Sequence, residues 1–424
     1  MRMRSRAALS RIAGLGIGLA ALLGRADDLK PVPLRSKVAN VQPMTGIVLW
    51  ATNERASSAP IQLEYSYVTY SQVVKERGVY DWSAVERILN EVAKRKHQAI
   101  IRWHETYVAK TTGVPAYIKA LPDYREITAL SERKRTGFPD WSHPELRRFI
   151  LEFYERFAEK YDHDPRLAFM QTGFGLWSEY HIYDGPMKLG QTFPSLEFQR
   201  EFVEHLSRSF KRTPWMISVD AAGDHAPYAN DQKLLALSFG LFDDSFNHAH
   251  HARVNELNWN RLGRDRWKIA PGGGEFSFYE TKDQREALSP TGPHGTSFEQ
   301  HAAKFHISFM IGDGQPRFQK PERIREAGMA CGYRFRVAEF KASPSQAVVV
   351  IQNTGIAPIY HDAFPAVDGT RAGDSLKGLL PGQSKTFTIP LRVAGESATS
   401  PPILTIDSDR LVPGQRIEYD ADLP

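Results

Sequence analysis

The chain has a single cysteine, Cys331, among its 424 residues. No internal disulfide can form, so stability must come from a hydrophobic core, which a chain of this length can build. Nothing in the neighbouring sequence would activate the thiol. We therefore interpret Cys331 as a small packed residue rather than a nucleophile.

A hydrophobic run long enough to cross a membrane is also lacking. The apolar run from Ile12 to Leu23 is twelve residues long, whereas a membrane span needs ~20. Arginines precede this run, and Gly24-Arg25-Ala26 supplies small residues before Asp27. Residues 1–26 are thus predicted to be a signal peptide. We expect a secreted or periplasmic protein with no membrane span after cleavage; an uncleaved anchor is the alternative.

The chain has little excess charge once that segment is set aside. The full sequence has 54 Lys and Arg against 49 Asp and Glu, and residues 1–26 hold five arginines and no acid. The remaining chain therefore has 49 basic and 49 acidic residues. Nucleic-acid binding requires a basic face, so we expect no nucleic-acid partner.

Sequence motifs for cofactors are missing as well. There is no G-x-G-x-x-G after a strand, no Walker loop and no G-x-S-x-G elbow. His248, His250 and His251 lie close in sequence, but cysteine ligands and an H-E-x-x-H helix are absent. We interpret these histidines as part of a hydrogen-bonding loop, with His248 as a candidate substrate contact. The sequence predicts no metal and no cofactor.

Short apolar strands alternate with amphipathic helices over residues 43–329. The predicted strands are Gly46 to Ala51, Ile61 to Val68, Ala99 to Trp103, Leu167 to Gly173, Trp215 to Val219, Phe239 to Asp243, Trp267 to Gly272 and His306 to Ile311. A count approaching eight favours an α/β fold of the closed (β/α)8 type, the TIM barrel. Residues 27–42 are polar and contain proline, and are predicted to be a linker.

The pattern changes near residue 330. Four short strand-like runs separated by Gly, Pro, Asn and Asp follow, without a long helix. Residues 330–424 are therefore predicted to form a small antiparallel β-sandwich. Such a domain either binds glycan or packs on the barrel, and its modest aromatic content favours packing.

Polar and aromatic residues follow the predicted strands, where an α/β barrel carries its active site. A site that cleaves a glycosidic bond needs paired carboxyls, and aromatic faces stack on sugars. We predict that substrate is bound by Arg102, Trp103, His104, Glu105, Trp177, Tyr180, His181, Asp220, Asp243, His248 and Asp313.

Two glutamates are the candidate catalytic residues. Glu179 is flanked by aromatic residues, which would desolvate its carboxyl and raise its pKa, as a proton donor requires. Glu275 follows three glycines, Gly272 to Gly274. We expect these glycines to adopt unusual dihedral angles and to bring the main chain close to a ligand.

The stretch from Pro139 to His181 resembles the fourth-strand region of clan A glycoside hydrolases, especially the β-galactosidase-like barrels. The matching text runs from Lys160 to Leu167 (KYDHDPRL) and continues at Trp177-Ser178-Glu179. Val79 to Trp82 (VYDW) resembles a segment after their first strand, and Gly273-Gly274-Glu275 resembles a seventh-strand nucleophile. One departure is Ser178, because many clan A enzymes have at that position an Asn that holds the sugar 2-OH.

This resemblance implies a glycoside hydrolase that cleaves a poly- or oligosaccharide. Glu179 would be the acid/base and Glu275 the nucleophile, with retention of configuration. That mechanism requires the two carboxyls to lie ~5–5.5 Å apart, whereas a separation near ~9 Å would indicate inversion. Arg102 and His104 would keep the nucleophile ionised. A non-catalytic carbohydrate-binding barrel and a polysaccharide lyase are the alternatives.

Overall fold

The computed structural model describes residues 28–391 and 401–424. The predicted signal peptide, residues 1–26, lies outside the described residues. Within them, no helix is both long enough and apolar enough to cross a membrane.

Eight parallel strands close into a barrel in which each strand pairs with the next one along the chain and the last pairs with the first. They are β1 (Gly46–Trp50), β2 (Leu63–Thr69), β3 (Gln98–His104), β4 (Leu167–Thr172), β5 (Trp215–Ser218), β6 (Gly240–Phe246), β7 (Gly272–Phe276) and β8 (Phe309–Ile311). The predicted TIM-barrel fold is confirmed. The predicted seventh strand was placed too early, because Arg266–Lys268 is a 3-10 turn.

Helices surround this barrel on the outside. The longest is Pro144–Tyr161. Pro144 occupies its first turn and the His143 side chain accepts a hydrogen bond from Glu145 N at 3.2 Å, which caps the helix. The helix buries Leu146, Phe149, Ile150, Phe153 and Phe157 on the barrel wall, as their spacing predicts.

The other helices are Tyr70–Val73, Ser83–Lys94, Ala116–Lys119, Leu196–Ser209, Gln232–Leu235, Ala252–Gly263, Thr281–Glu286, Phe298–Phe305, Gln315–Phe318 and Pro321–Met329. Two hairpins extend the loops after β2 and β3. They are formed by Val74–Glu76 with Val79–Tyr80 and by Ile127–Ser131 with Lys134–Phe138. The loops after β2 and β3 therefore have secondary structure of their own.

The interior of the barrel explains the glycines before Glu275. A Cβ on Gly273 would lie 2.6 Å from the ring of Phe309, and one on Gly274 would lie 2.2 Å from the Asp243 carbonyl oxygen. None of the three glycines has a positive φ. The prediction of unusual dihedral angles was wrong: these glycines make room for neighbouring strands and for a core ring.

The C-terminal domain is a two-sheet sandwich, as predicted, and residues 27–42 belong partly to it. One sheet contains Ser384–Pro390, Gln346–Asn353, Phe335–Ala342, Tyr419–Leu423, Leu34–Ser36 and Lys30–Pro31, and the other contains Thr370–Arg371, Phe364–Val367 and Leu404–Asp407. Pairing is antiparallel except where Phe335 and Arg336 lie parallel to Tyr419 and Asp420. The linker prediction was therefore wrong for residues 30–36, whose pairing partners are far away in sequence.

The sandwich covers the amino-terminal ends of the barrel strands. The Arg410 guanidinium donates to the backbone oxygens of Leu167 at 2.7 Å and Asp162 at 3.0 Å. The buried His361 ring packs against Phe169 of β4. One apolar cluster thus runs from the barrel interior into the sandwich. The opposite end, at the carboxyl ends of the strands, is the mouth of the barrel.

Candidate active site

Side chains alternate along β3 between the barrel interior and its outer wall. Arg102 and His104 point inward, whereas Trp103 points outward and packs on Tyr70 at 5.9 Å and Phe153 at 4.6 Å between ring centroids. Trp103 is fully buried there. The prediction that Trp103 binds substrate was wrong, because adjacent residues of a strand face opposite sides.

Glu105 and Tyr180 also lie behind the wall of the mouth. Both Glu105 carboxyl oxygens are buried without a hydrogen-bond partner among the described residues, and burial raises the pKa of Glu105 to about 8. Tyr180 is fully buried and hydrogen-bonded to the hydroxyl of Tyr228. Neither side chain reaches the mouth, so both predicted substrate contacts were wrong.

Arg102 forms an ion pair at the centre of the barrel with Asp244 of β6. Its Nη2 donates to Asp244 Oδ1 at 3.0 Å, and its Nη1 donates to the other carboxylate oxygen. Nε donates to Gln171 at 2.8 Å, and Nη1 also donates to the Tyr67 hydroxyl at 3.0 Å. The guanidinium is only 1% exposed. This pair is the charged floor of the mouth.

We expect Arg102→Met to destabilise the protein strongly. The substitution would leave the Asp244 carboxylate, whose side chain is only 9% exposed, without its cation. Breaking such a buried pair costs about 3–5 kcal/mol of unfolding free energy, measurable by urea denaturation.

The matched control is Arg35→Met, which removes an ion pair to Asp422 whose partners are 85% and 84% exposed. That pair should contribute at most about 1 kcal/mol. If the Arg102→Met protein were no less stable than the Arg35→Met protein, the Arg102–Asp244 ion pair would not stabilise the barrel as we expect.

The acid selected by sequence, Asp243, points the other way from Asp244. Its Oδ1 accepts hydrogen bonds from Asn255 Nδ2 at 2.7 Å and Ser245 N at 2.9 Å. Burial raises the pKa of Asp243 to about 7. Asp244 was therefore missed as a site residue. Strand alternation could have found it, since it shares the inward face with Phe242.

Glu179 follows β4 after a tight loop, residues 173–178. Trp177 and Ser178 both have left-handed backbones, with φ of 60° and 58°, which costs roughly 1–3 kcal/mol for each such residue. The Ser178 hydroxyl donates to the Trp103 carbonyl of β3, and Gly175 N donates to the Glu179 carbonyl at 2.8 Å. The loop thus fixes Glu179 at the mouth. Ser178 is buried and does not take the place of a sugar-binding Asn.

His181 connects Glu179 to Asp220. Its Nε2 lies 2.9 Å from Glu179 Oε2 and its Nδ1 lies 3.7 Å from Asp220 Oδ1. Burial raises the pKa of Glu179, and the hydrogen bond from His181 opposes that shift. Burial alone would lower the pKa of His181, but the carboxylates of Asp220 and Glu179 raise it above its ordinary value. The two neighbouring carboxylates therefore favour the imidazolium form of His181.

Glu179, His181 and Asp220 are also the residues that could approach a metal ion, with one ligand atom from each lying within 4.8 Å of the others. The imidazole, however, presents a different nitrogen to each carboxylate. A single ion uses one imidazole nitrogen. The group is therefore arranged as a hydrogen-bonded bridge, and the absence of a metal stays a prediction.

Glu275 is the fourth residue of β7 and pairs in register with Ile311 of β8. Burial and the Asp244 carboxylate raise its pKa well above the ordinary value, Arg102 lowers it, and Glu179 raises it further. No described residue donates a hydrogen bond to its carboxyl group. The two candidate glutamates therefore occupy one barrel mouth, Glu179 after β4 and Glu275 within β7.

Aromatic rings and acids complete the rim. Trp177 packs on Tyr107 at 4.3 Å, and the His104 ring lies 5.2 Å from Tyr107. Burial lowers the pKa of His104 to about 3, which disfavours the positive charge that would hold a neighbouring carboxylate ionised. Asp313 accepts a hydrogen bond from Trp50 N at 2.9 Å at the end of β8. His248 lies behind Tyr279, with 4.9 Å between ring centroids.

A cavity of about 430 Å³ opens beside Glu179. It is lined by Glu179, His181, Tyr183, Val219, Asp220, Gly223, His225, Asp243, Asp244, Ser245, His251, Val254, Asn255, Asn258 and Tyr279. Tyr183 and Tyr279 were missed by the sequence analysis, because both stand on irregular loops without a periodic pattern. The cavity joins the residues after β4, β5, β6 and β7 into one concave surface.

No protein-family model matches the chain, and no curated protein matches it. Among solved structures, it is similar to endo-glycoceramidase II from Rhodococcus sp. in a lactosyl-enzyme intermediate, at 11% identity and a TM-score of 0.41, covering 88% of this chain and 98% of that chain. It is also similar to TtGalA, an alpha-galactosidase from Thermus thermophilus, at 12% identity and a TM-score of 0.39, covering 74% and 66%.

A third similar structure is the GH36 alpha-galactosidase AgaA from Geobacillus stearothermophilus, at 10% identity and a TM-score of 0.36, covering 82% of this chain and 55% of that chain. At these scores the likenesses carry no argument about substrate or mechanism. The side chains of the barrel mouth carry that argument instead.

Proposed function

We propose that the protein is a retaining glycoside hydrolase in which Glu179 is the acid/base and Glu275 the nucleophile. The observation that carries this proposal is the position of two carboxyl groups at one barrel mouth, Glu179 after β4 and Glu275 within β7. The predicted substrate is a poly- or oligosaccharide. Glycosidic cleavage by two carboxyl groups needs no further cofactor.

The neighbours of the two carboxyls support these roles. Glu179 contacts His181, a titratable group with which it can exchange a proton between the two half-reactions. The positive charge of Arg102 lowers the pKa of Glu275. Because an arginine keeps its proton, this charge always favours the ionised form of Glu275. Burial raises the pKa of both glutamates and so favours their protonated forms. Catalysis requires a proton on Glu179 once substrate is bound.

The proposed reaction has two steps. In the first, a Glu275 oxygen attacks the anomeric carbon, and Glu179 gives its proton to the departing glycosidic oxygen. In the second, Glu179 takes a proton from water, which displaces Glu275 from the same carbon and restores both groups. Two displacements at one carbon return its original configuration.

Product stereochemistry tests this proposal. We expect the first-formed sugar to have the anomeric configuration of the substrate, as followed by proton NMR before mutarotation. A first product of opposite configuration would exclude Glu275 as a covalent nucleophile and indicate a general base acting through water. An unsaturated product would indicate a lyase.

A further inference from the structure

Two tyrosines line the cavity beside Glu179 and remain open to solvent. Tyr183, after β4, is 46% exposed, and Tyr279, after β7, is 62% exposed. An aromatic ring exposed next to a catalytic carboxyl offers an apolar face to a ligand.

Both rings are held in place without a ligand. Tyr279 packs against His251 at 4.7 Å and against His248 at 4.9 Å. The Tyr183 hydroxyl accepts a hydrogen bond from Trp177 Nε1 at 2.9 Å and donates to Glu132. A ligand therefore meets rings that are already ordered, which lowers the entropic cost of binding.

The charged lining of the cavity is mainly acidic. It contains the carboxyls of Glu179, Asp220, Asp243 and Asp244 and no lysine or arginine of the described chain. Its histidines are His181, His225 and His251, and the His181 ring is already engaged by Glu179 and Asp220. The Arg102 guanidinium below is already paired with Asp244. Such a lining accepts hydrogen bonds, so it suits hydroxyl groups, which donate them, and disfavours carboxylates and sulfates, which only accept.

The position of the cavity identifies which part of a substrate enters it. Glu179 lines the cavity and Glu275 does not. A nucleophile touches only the sugar that it attacks, whereas a proton donor touches the bond on both sides. A cavity that borders the donor alone lies on the leaving-group side.

We infer that this cavity is the leaving-group subsite and that it binds an uncharged sugar ring stacked on Tyr279 and Tyr183. The inference rests on the proposed function, because the leaving-group side is defined by the role of Glu179. Uronic-acid and sulfated sugars are excluded from this subsite by its carboxylates.

Kinetics with two leaving groups test the subsite. We expect Tyr279→Ala to lower kcat/KM for a neutral disaccharide roughly tenfold, the loss of one stacking contact. It should leave kcat/KM for the glycosyl fluoride of the same glycone unchanged, because fluoride does not reach the tyrosines. Each comparison uses a disaccharide and a fluoride with the same glycone, and it is made for the glucosyl, galactosyl and mannosyl glycones. Phe278→Ala is the matched control: Phe278 is 57% exposed but does not line the cavity.

Equal losses on both substrates, or no loss on either, would overturn the subsite. Failure of the wild type to turn over any fluoride or disaccharide would instead contradict the proposed function. In that event the subsite is still tested by calorimetric titration of the Glu275→Gln protein with lactose, cellobiose and digalacturonate. Lactose and cellobiose should bind to the Glu275→Gln protein. They should bind less tightly to the double variant that also carries Tyr279→Ala. Preferential binding of digalacturonate, or no binding of the neutral sugars, would overturn the subsite.

Discussion

Glu275→Gln is expected to lower kcat by roughly 10³-fold or more, the effect of removing a covalent nucleophile. The amide keeps the shape of the side chain but cannot form the glycosyl ester. Activity is measured as release of reducing ends from the best substrate of a polysaccharide panel. Thermal unfolding of the same protein is followed in parallel.

The stability of this variant separates chemistry from folding. Burial and Asp244 raise the pKa of Glu275, so the folded state disfavours its charged form at neutral pH. Replacing the carboxyl by an amide removes that penalty, and we expect an unchanged or higher Tm. Glu256→Gln, which alters an exposed ion pair with Lys304, is the control and should keep full activity. An active Glu275→Gln protein would end the assignment.

Glu179→Gln is expected to lower kcat/KM on sugar leaving groups by about 10²–10⁴-fold, the usual contribution of a general acid. Glycosyl fluorides need no protonation, so their first step should be affected far less. Because the raised pKa of Glu179 keeps it protonated to a higher pH, activity should fall as pH rises through that pKa. The variant should lose this alkaline limb of the pH profile.

Azide distinguishes the two carboxyls by product. In Glu179→Ala, azide should attack the glycosyl-enzyme and give a glycosyl azide of retained configuration. In Glu275→Ala, azide should attack the substrate directly and give the inverted azide. Exchange of these two outcomes would mean that Glu275 is the proton donor, and absence of both azides would contradict a double displacement.

The barrel was predictable because its strands are apolar, short and separated by helices with clear faces. All eight predicted strands correspond to barrel strands, although the seventh begins later than expected. Glu179 and Glu275 lie at the mouth of the barrel, where their motifs predict them, and their catalytic roles stay a prediction. The strand pattern and the glutamate motifs can each be recognised from a few neighbouring residues in the sequence.

Side-chain direction was the main source of error at the site. Trp103 and Glu105 were predicted to bind substrate because they lie at the end of a strand, yet both face away from the barrel interior. Asp243 faces away from Asp244 but still lines the cavity beside Glu179. Period-two alternation would have separated Trp103 from Arg102 and would have selected Asp244. Tyr180 could not have been corrected in this way, because the loop before it has two consecutive left-handed residues that no sequence pattern marks.

The pairing of Leu34–Ser36 with Tyr419–Leu423 has a consequence for biosynthesis. Val38 N also donates to the Asp420 carboxylate, across 382 positions of sequence. The ribosome therefore releases every barrel strand before the sandwich can complete its larger sheet. During that interval the cover over the amino-terminal ends of the barrel strands is incomplete, and apolar surface there is exposed to aggregation. Any factor that delays collapse until translation ends should increase the yield of native protein.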